Sequence, residues 1–186
     1  MKTALLVVDV QQSFRARPYW RDEDAQPFIA RVQNLIDRAK ASGVPILQIF
    51  HAEEDEGPSG PFSRHSGHVK AMPELRIQPT EVFHKTVHSS LYGRADDGRT
   101  LEAWLRDNGI EHVIVTGIRT EQCCETTTRH ASDAGFKVTY ALDATLTFPT
   151  VSQSGRTFTP AEIMERTALV LHNRFAQVMQ AEAVAL

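Results

Sequence analysis

The stretch "HVIVTGIRTEQCCETTTRHASDAGFKVTYAL", residues 112–142, decides the fold. "HVIVTG" (112–117) is an apolar run ending in glycine, the pattern of a strand buried on both faces. "FKVTYAL" (136–142) is a second such run. Between them Thr120 is placed to cap a helix, and steps of four, three and four from Cys124 meet Thr128, Ala131 and Gly135, small residues suited to packing on a sheet. Strand, helix and strand in that order form the crossover unit of a parallel sheet.

The same alternation extends outward. "TALLVV" (3–8) predicts the first strand, and Phe28, Val32, Leu35, Ile36 and Ala39 draw one stripe on a helix that stops near Gly43. "VPILQIF" (44–50) and "EVFHK" (81–85) supply the second and third strands. Leu101, Trp104 and Leu105 mark a short helix closed by Asn108-Gly109. Thr159, Pro160 and Glu162 start another, followed by Ile163, Thr167, Ala168 and Leu171, and a last short strand is expected over 175–179. These elements predict an α/β fold, a three-layer α/β/α arrangement with a six-stranded parallel sheet of Rossmann-like type, as one domain over residues 1–186. The segment 52–80, rich in Gly, Pro and Ser, is expected to be a functional loop or lid, shortened by a helix around 67–75.

Bulk properties narrow the chemistry. A net charge of −3 with mixed signs gives no electrostatic footprint for nucleic acid and no polybasic membrane anchor, so small molecules or copies of the chain are the expected partners. The apolar run Ala4–Val8 is too short for a signal segment or a membrane span. The only two cysteines, Cys123 and Cys124, are adjacent and cannot staple distant parts of a fold, which fits a reducing cytoplasm.

In open α/β sheets ligands bind beyond the carboxyl ends of the strands. Here strand one ends at Asp9, strand three at Lys85, and strand four leads to Cys123. An acid, an ammonium and a thiol would suit one another, because a thiol attacks as thiolate and its pKa falls beside a cation and at a helix N-terminus. With Thr120 as N-cap, Cys123 falls at the third helical position. Taken singly, each residue has a plainer role: a carboxylate there also caps helices or pairs with lysine, strand-end lysines are mostly solvated, and free cysteines are commonly small core residues.

Four segments in register resemble the isochorismatase-like cysteine hydrolases, the family of nicotinamidases, carbamoyl-sarcosine amidohydrolases and ureidoacrylate amidohydrolases. They are "DVQQSF" (9–14), "KTVHSSLYG" (85–93), "GIRTEQCCETTTRHASDAGF" (117–136) and "LDAT" (142–145), the last expected after strand five. The resemblance implies strand order 3-2-1-4-5-6 and a triad of Asp9, Lys85 and Cys123, with Cys124 in the place of a packing valine. It also implies an oxyanion hole from the backbone N–H groups of Arg119 and Cys123, a cis peptide at Ile118–Arg119, no cofactor, and a homodimer or homotetramer. Lys85 would have to lean across strand two, since strands one and three lie about 9–10 Å apart.

Metal-dependent nicotinamidases of the family carry Asp-x-His after strand two. This chain has Ile49 in the aspartate position, although His51, His65 and His68 remain. His51 is therefore expected as a pocket wall or hydrogen-bond donor without a metal, and nicotinamide is disfavoured as substrate. True isochorismatases, which cleave a vinyl ether, lack the cysteine, so Cys123 favours C–N cleavage of a small amide, carbamoyl or ureido compound. The alternatives are such an ether hydrolase or an inactive sensor. Phe14, Leu91, Tyr92, His51 and Arg119 are expected to bind substrate. The Arg119 fork either meets a substrate carboxylate or pairs with a nearby acid or a neighbouring subunit. His88 is expected in a loop or interface, and Asp143 to fix the turn after strand five.

Overall fold

The computed structural model describes residues 1–53, 55 and 57–186. Its strands are β1 (Thr3–Val8), β2 (Ile46–His51), β3 (Glu81–Lys85), β4 (His112–Ile118), β5 (Lys137–Leu146), β6 (Thr150–Val151), β7 (Thr157–Phe158) and β8 (Gln177–Met179). The helices are α1 (Asp22–Ala41), α2 (Leu101–Asp107), α3 (Glu125–Asp133) and α4 (Pro160–Leu171). Six strands form a parallel sheet in the order β3-β2-β1-β4-β5-β8, which is the expected order with β8 as the sixth strand. The short antiparallel pair β6–β7 is inserted before α4.

Alternation along β1 explains why its run is continuously apolar. Leu5 and Val7 pack with Phe28, Val32, Leu35 and Ile36 of α1, while Ala4, Leu6 and Val8 pack with Leu101, Trp104, Ala131 and Leu171 from α2, α3 and α4. Helices therefore cover both faces. Their ends follow the predicted signals: Thr100 caps α2 through its side chain, Asn108 and Gly109 close it, and Thr159, Pro160 and Glu162 form a full capping box on α4.

Three expectations need correction. Residues 67–75 form no helix, because Pro73 lacks an N–H and the local backbone bonds elsewhere: Gln12 N–H donates to Lys70 O, Ser13 N–H to His68 O, and Met72 N–H to Val10 O. This segment is thus laced to the chain leaving β1, with Phe62, Met72 and Leu75 buried. "LDAT" lies inside β5 rather than after it, since β5 runs on to Leu146 past a register shift opposite Val115–Gly117. Asp143 fixes no turn there; it pairs with Arg31 at 3.0 Å and accepts from Ala181 N–H at 2.6 Å, tying α1 to the C-terminal segment.

Gly117 sits at that irregularity with φ 134°, paired with Val8. A Cβ there would lie 1.9 Å from Val8 O, so only glycine lets β4 approach β1 where the chain turns into Asp9.

Candidate active site

Asp9 follows β1 in a left-handed conformation, φ 52°, a region that aspartate and asparagine tolerate better than most residues. Its N–H donates to Ile49 O, and its side chain is fully buried. Gln11 pins this turn to the end of β2: its carboxamide donates to His51 O at 2.9 Å and accepts from His51 N–H at 2.8 Å. That is a structural reason for the glutamine in "DVQ".

Lys85 ends β3 opposite His51 and reaches across β2 as required. Its Nζ donates to Asp9 Oδ2 at 2.8 Å, to Cys123 Sγ at 3.3 Å and to His51 Nδ1 at 3.0 Å. An ammonium has three N–H groups and no acceptor, so all are used and the His51 hydrogen must sit on Nε2. Nε2–H then donates to Glu53 Oε2 at 3.0 Å. Burial disfavours the charged lysine, but Asp9 and then Cys123 outweigh it, and the Lys85 pKa is raised overall.

Cys123 departs from the expected local setting. The chain leaves the cis Ile118–Arg119 peptide into one wide turn of π-helix, Thr120–Cys124, before α3 begins at Glu125. Thr120 does not cap; its hydroxyl meets Thr145 Oγ1 at 2.8 Å, and its carbonyl accepts from Tyr140 OH. Cys123 therefore precedes α3 instead of lying in its first turn. The expected fall in thiol pKa is also reversed: burial first and Asp9 second push it well up, against the opposing pull of Lys85. Asp9 Oδ1 is buried and has no hydrogen-bond partner among the described residues, and the nearness of the Asp9 carboxylate adds to the upward shift of the thiol. Cys124 is wholly buried among Val113, Val115, Ala131 and Tyr140, as expected of a packing residue.

A cavity of about 150 Å³ opens onto this cluster, lined by Asp9, Cys123, Phe14, His51, Phe62, His88, Arg119 and Tyr19, with Arg17, Glu53 and Gln122 completing it. Phe14 meets Phe62 edge-on at 5.1 Å. Arg119 pairs with Glu121 at 3.0 Å, donates to Thr150 Oγ1 at 3.0 Å, and lies over the rings of Tyr19 and Phe148 at 5.5 and 5.4 Å. Its fork is thus held by a neighbouring acid at the cavity wall.

The other predicted contacts divide. Leu91 is buried in the core with Phe83 and Trp104, and Tyr92 is exposed against His130, so neither lines the cavity. His88 lies in the exposed loop after β3, as expected, and also lines the cavity, with Nδ1 3.7 Å from Cys123 Sγ. Tyr19, Phe62 and Arg17 were not singled out from sequence; their place depends on how two irregular segments fold back, which periodicity does not encode. A larger cavity of about 780 Å³ between β6–β7 and α4 has glutamates but no cysteine or histidine in its wall, whereas the smaller one holds Cys123 and Asp9.

For a metal, the ligand atoms of Asp9, His51 and Cys123 lie within 4.8 Å of one another. The Lys85 ammonium donates to all three and fills the place a cation would take. His65 and His68 are exposed, and Ile49 is buried in the core. The residues do not fit a metal site.

The model of the isochorismatase domain family matches residues 3–182. The chain is 31% identical over 159 residues to Nicotinamidase 3 of Arabidopsis thaliana, covering 78% of this chain and 73% of the relative. It is 28% identical over 160 residues to the ureidoacrylate amidohydrolase RutB of an Enterobacter species, covering 68% and 67%. A solved isochorismatase-family protein from Chromobacterium violaceum superposes with a TM-score of 0.84 at 27% identity, over 97% of this chain and 90% of that one.

Proposed function

The chain belongs to the isochorismatase family of hydrolases, and on that premise we propose that it is a cysteine-dependent amidohydrolase cleaving the C–N bond of a small amide, carbamoyl or ureido compound. The observation that carries this reading is the buried Lys85 ammonium, which joins the Asp9 carboxylate at 2.8 Å to Cys123 Sγ at 3.3 Å.

As Cys123 Sγ attacks the carbonyl carbon, Asp9 Oδ1 takes the S–H proton and then gives it to the leaving nitrogen. Lys85 pairs with the Asp9 carboxylate and compensates the growing charge on sulfur. The oxyanion is assigned to the N–H groups of Arg119 and Cys123 by family resemblance. Phe14, His51 and Arg119 form walls around the acyl group. Water then releases the acid from the thioester.

Cavity size supports a small substrate: about 150 Å³ is below the roughly 300–1,000 Å³ of drug-sized sites. The names of the nicotinamidase and ureidoacrylate relatives support the bond class. Buried Ile49, where metal-dependent nicotinamidases have aspartate, points away from nicotinamide itself. Among the described residues no helix is long and apolar enough to cross a membrane; the free cysteine pair supports a cytoplasmic setting.

Ammonia release from primary amides, carbamoyl amino acids and ureido acids tests the reading. Cys123→Ala is expected to lose ~10⁴-fold or more, while Cys124→Val stays within about threefold and loses less than about 1.5 kcal/mol of stability. Activity that survives Cys123→Ala sinks the proposal.

A further inference from the structure

Glu53 lines the cavity two residues beyond the end of β2, and the mechanism above gives it no part. It heads a chain of hydrogen bonds that runs inward from the cavity wall. His51 Nε2 lies 3.0 Å from Glu53 Oε2, His51 Nδ1 lies 3.0 Å from Lys85 Nζ, and Lys85 continues to Asp9 and Cys123. Exposure falls along the same path, from 33% of the Glu53 side chain through 11% for His51 to none for Lys85.

Lys85 reaches the site on a flexible four-carbon stem, so its Nζ is placed by its acceptors. Asp9 alone leaves the ammonium free to pivot. Asp9 and His51 together fix two of its N–H directions, and the tetrahedral geometry then aims the third at Cys123 Sγ. His51 is such an anchor only while Nδ1 faces inward. Its main chain is held by Gln11 through both N–H and C=O, which leaves the ring torsions to be fixed. Phe62, edge-on at 5.9 Å, packs against the ring without telling its two flipped states apart. A flip puts carbon where each ring nitrogen had been, so hydrogen bonds at both ends choose the state. Glu53 supplies the outer one, and its own N–H is tied to Phe62 O at 3.1 Å.

We infer that Glu53 is a positioning residue that, through His51, aims the Lys85 ammonium at Cys123, an inference that rests on the thiol-hydrolase reading above for its bearing on turnover. What Glu53 contributes is an acceptor at a fixed reach, since its charge stands on the far side of a neutral imidazole from Lys85. The effect on the thiol is independent of any substrate. Lys85 opposes the upward push that burial and Asp9 exert on Cys123, so an ammonium turned away from Sγ leaves less thiolate and a slower nucleophile at a given pH.

Two substitutions separate reach from charge. Glu53→Gln keeps an acceptor at the same distance and loses the charge, whereas Glu53→Asp keeps the charge and retracts by one carbon, about 1.5 Å. Glu53→Ala removes both. Alkylation of Cys123 by iodoacetamide at about pH 8 is followed by peptide mass. Glu53→Gln should react within about threefold of the native rate, and Glu53→Asp and Glu53→Ala at least ~10-fold more slowly. Cys124, wholly buried, reports the fold and should stay unlabelled. Should Glu53→Ala label it, the comparison of Glu53→Gln with Glu53→Asp decides. With the amide panel, kcat should follow the same order and fall ~10²-fold in Glu53→Asp and Glu53→Ala, while KM stays within about threefold. Native-like alkylation in Glu53→Asp and Glu53→Ala, or slowing of Glu53→Gln to their level, overturns the positioning role. Ordered alkylation rates without turnover of any amide sink the amidohydrolase reading and leave the placement of Lys85 by Glu53 intact.

Discussion

Replacing Lys85 by methionine keeps most of the side-chain volume but leaves the Asp9 carboxylate buried with no cation. In the native protein that ammonium makes three hydrogen bonds and has no exposed side-chain surface, nor has Asp9. Breaking a buried pair by removing one partner costs ~3–5 kcal/mol, a large part of a typical total of about 5–15 kcal/mol. With a urea slope of about 2–3 kcal/mol/M, the unfolding midpoint should fall by ~1–2 M. The penalty belongs to the orphaned charge, so a second substitution should relieve it. Asp9→Asn removes the charge, and asparagine accepts the positive φ of 52° at that position. Lys85→Met with Asp9→Asn should therefore be at least ~2 kcal/mol more stable than Lys85→Met alone, in an otherwise isosteric site. Urea melts of the native protein, both single variants and the double variant complete the cycle. Additive losses, with the double variant no more stable than Lys85→Met, would refute the view that Lys85 is held there to compensate Asp9.

Two further outcomes follow from the same packing. Burial raises the folded pKa of both thiols above its unfolded value, so above about pH 8.5 the unfolded chain binds fewer protons than the folded one and stability falls with rising pH. Lys85, also raised, adds a loss of the same sign above about pH 10.4. Between pH 8 and 10, urea melts should show Cys123→Ala and Cys124→Ala each flattening the decline, by up to ~1.4 kcal/mol per pH unit; an unchanged slope in both would contradict the burial argument. Gly117→Ala should destabilise by more than ~3 kcal/mol and abolish activity, since its Cβ would lie 1.9 Å from Val8 O and push β4 away from the Asp9 turn. A normal melting temperature for that variant would show that the close approach of β4 and β1 is not required.

The sheet was legible because each strand is a continuous apolar run and each helix a stripe, so the order of elements follows from "TALLVV", "HVIVTG" and their neighbours. Asp9, Lys85 and Cys123 were legible as strand-end residues, and the family motifs separated Cys123 from Cys124. What the sequence left out depends on tertiary placement. The π-helical turn arises where Thr120 is tied to Thr145 and Tyr140 of β5, partners some twenty residues away that local capping rules do not see. Tyr92 sits in a motif segment yet faces His130, because the short turn after Ser89 directs Leu91 inward and Tyr92 outward. The sign of the thiol shift was missed for a related reason. A nearby lysine and a helix start argue for a low pKa, but burial and a neighbouring carboxylate outweigh both. Arg119, which stood equally for a substrate carboxylate or a neighbouring acid, is held by Glu121.

The central claim is that Cys123, not its neighbour, carries the acyl group, and the direct measurement is peptide mapping by mass spectrometry of protein rapidly quenched while turning over an amide from the panel. The account predicts an acyl thioester on Cys123, none on Cys124, and none in Cys123→Ala. An acyl group on Cys124, or undiminished turnover by Cys123→Ala, would contradict it.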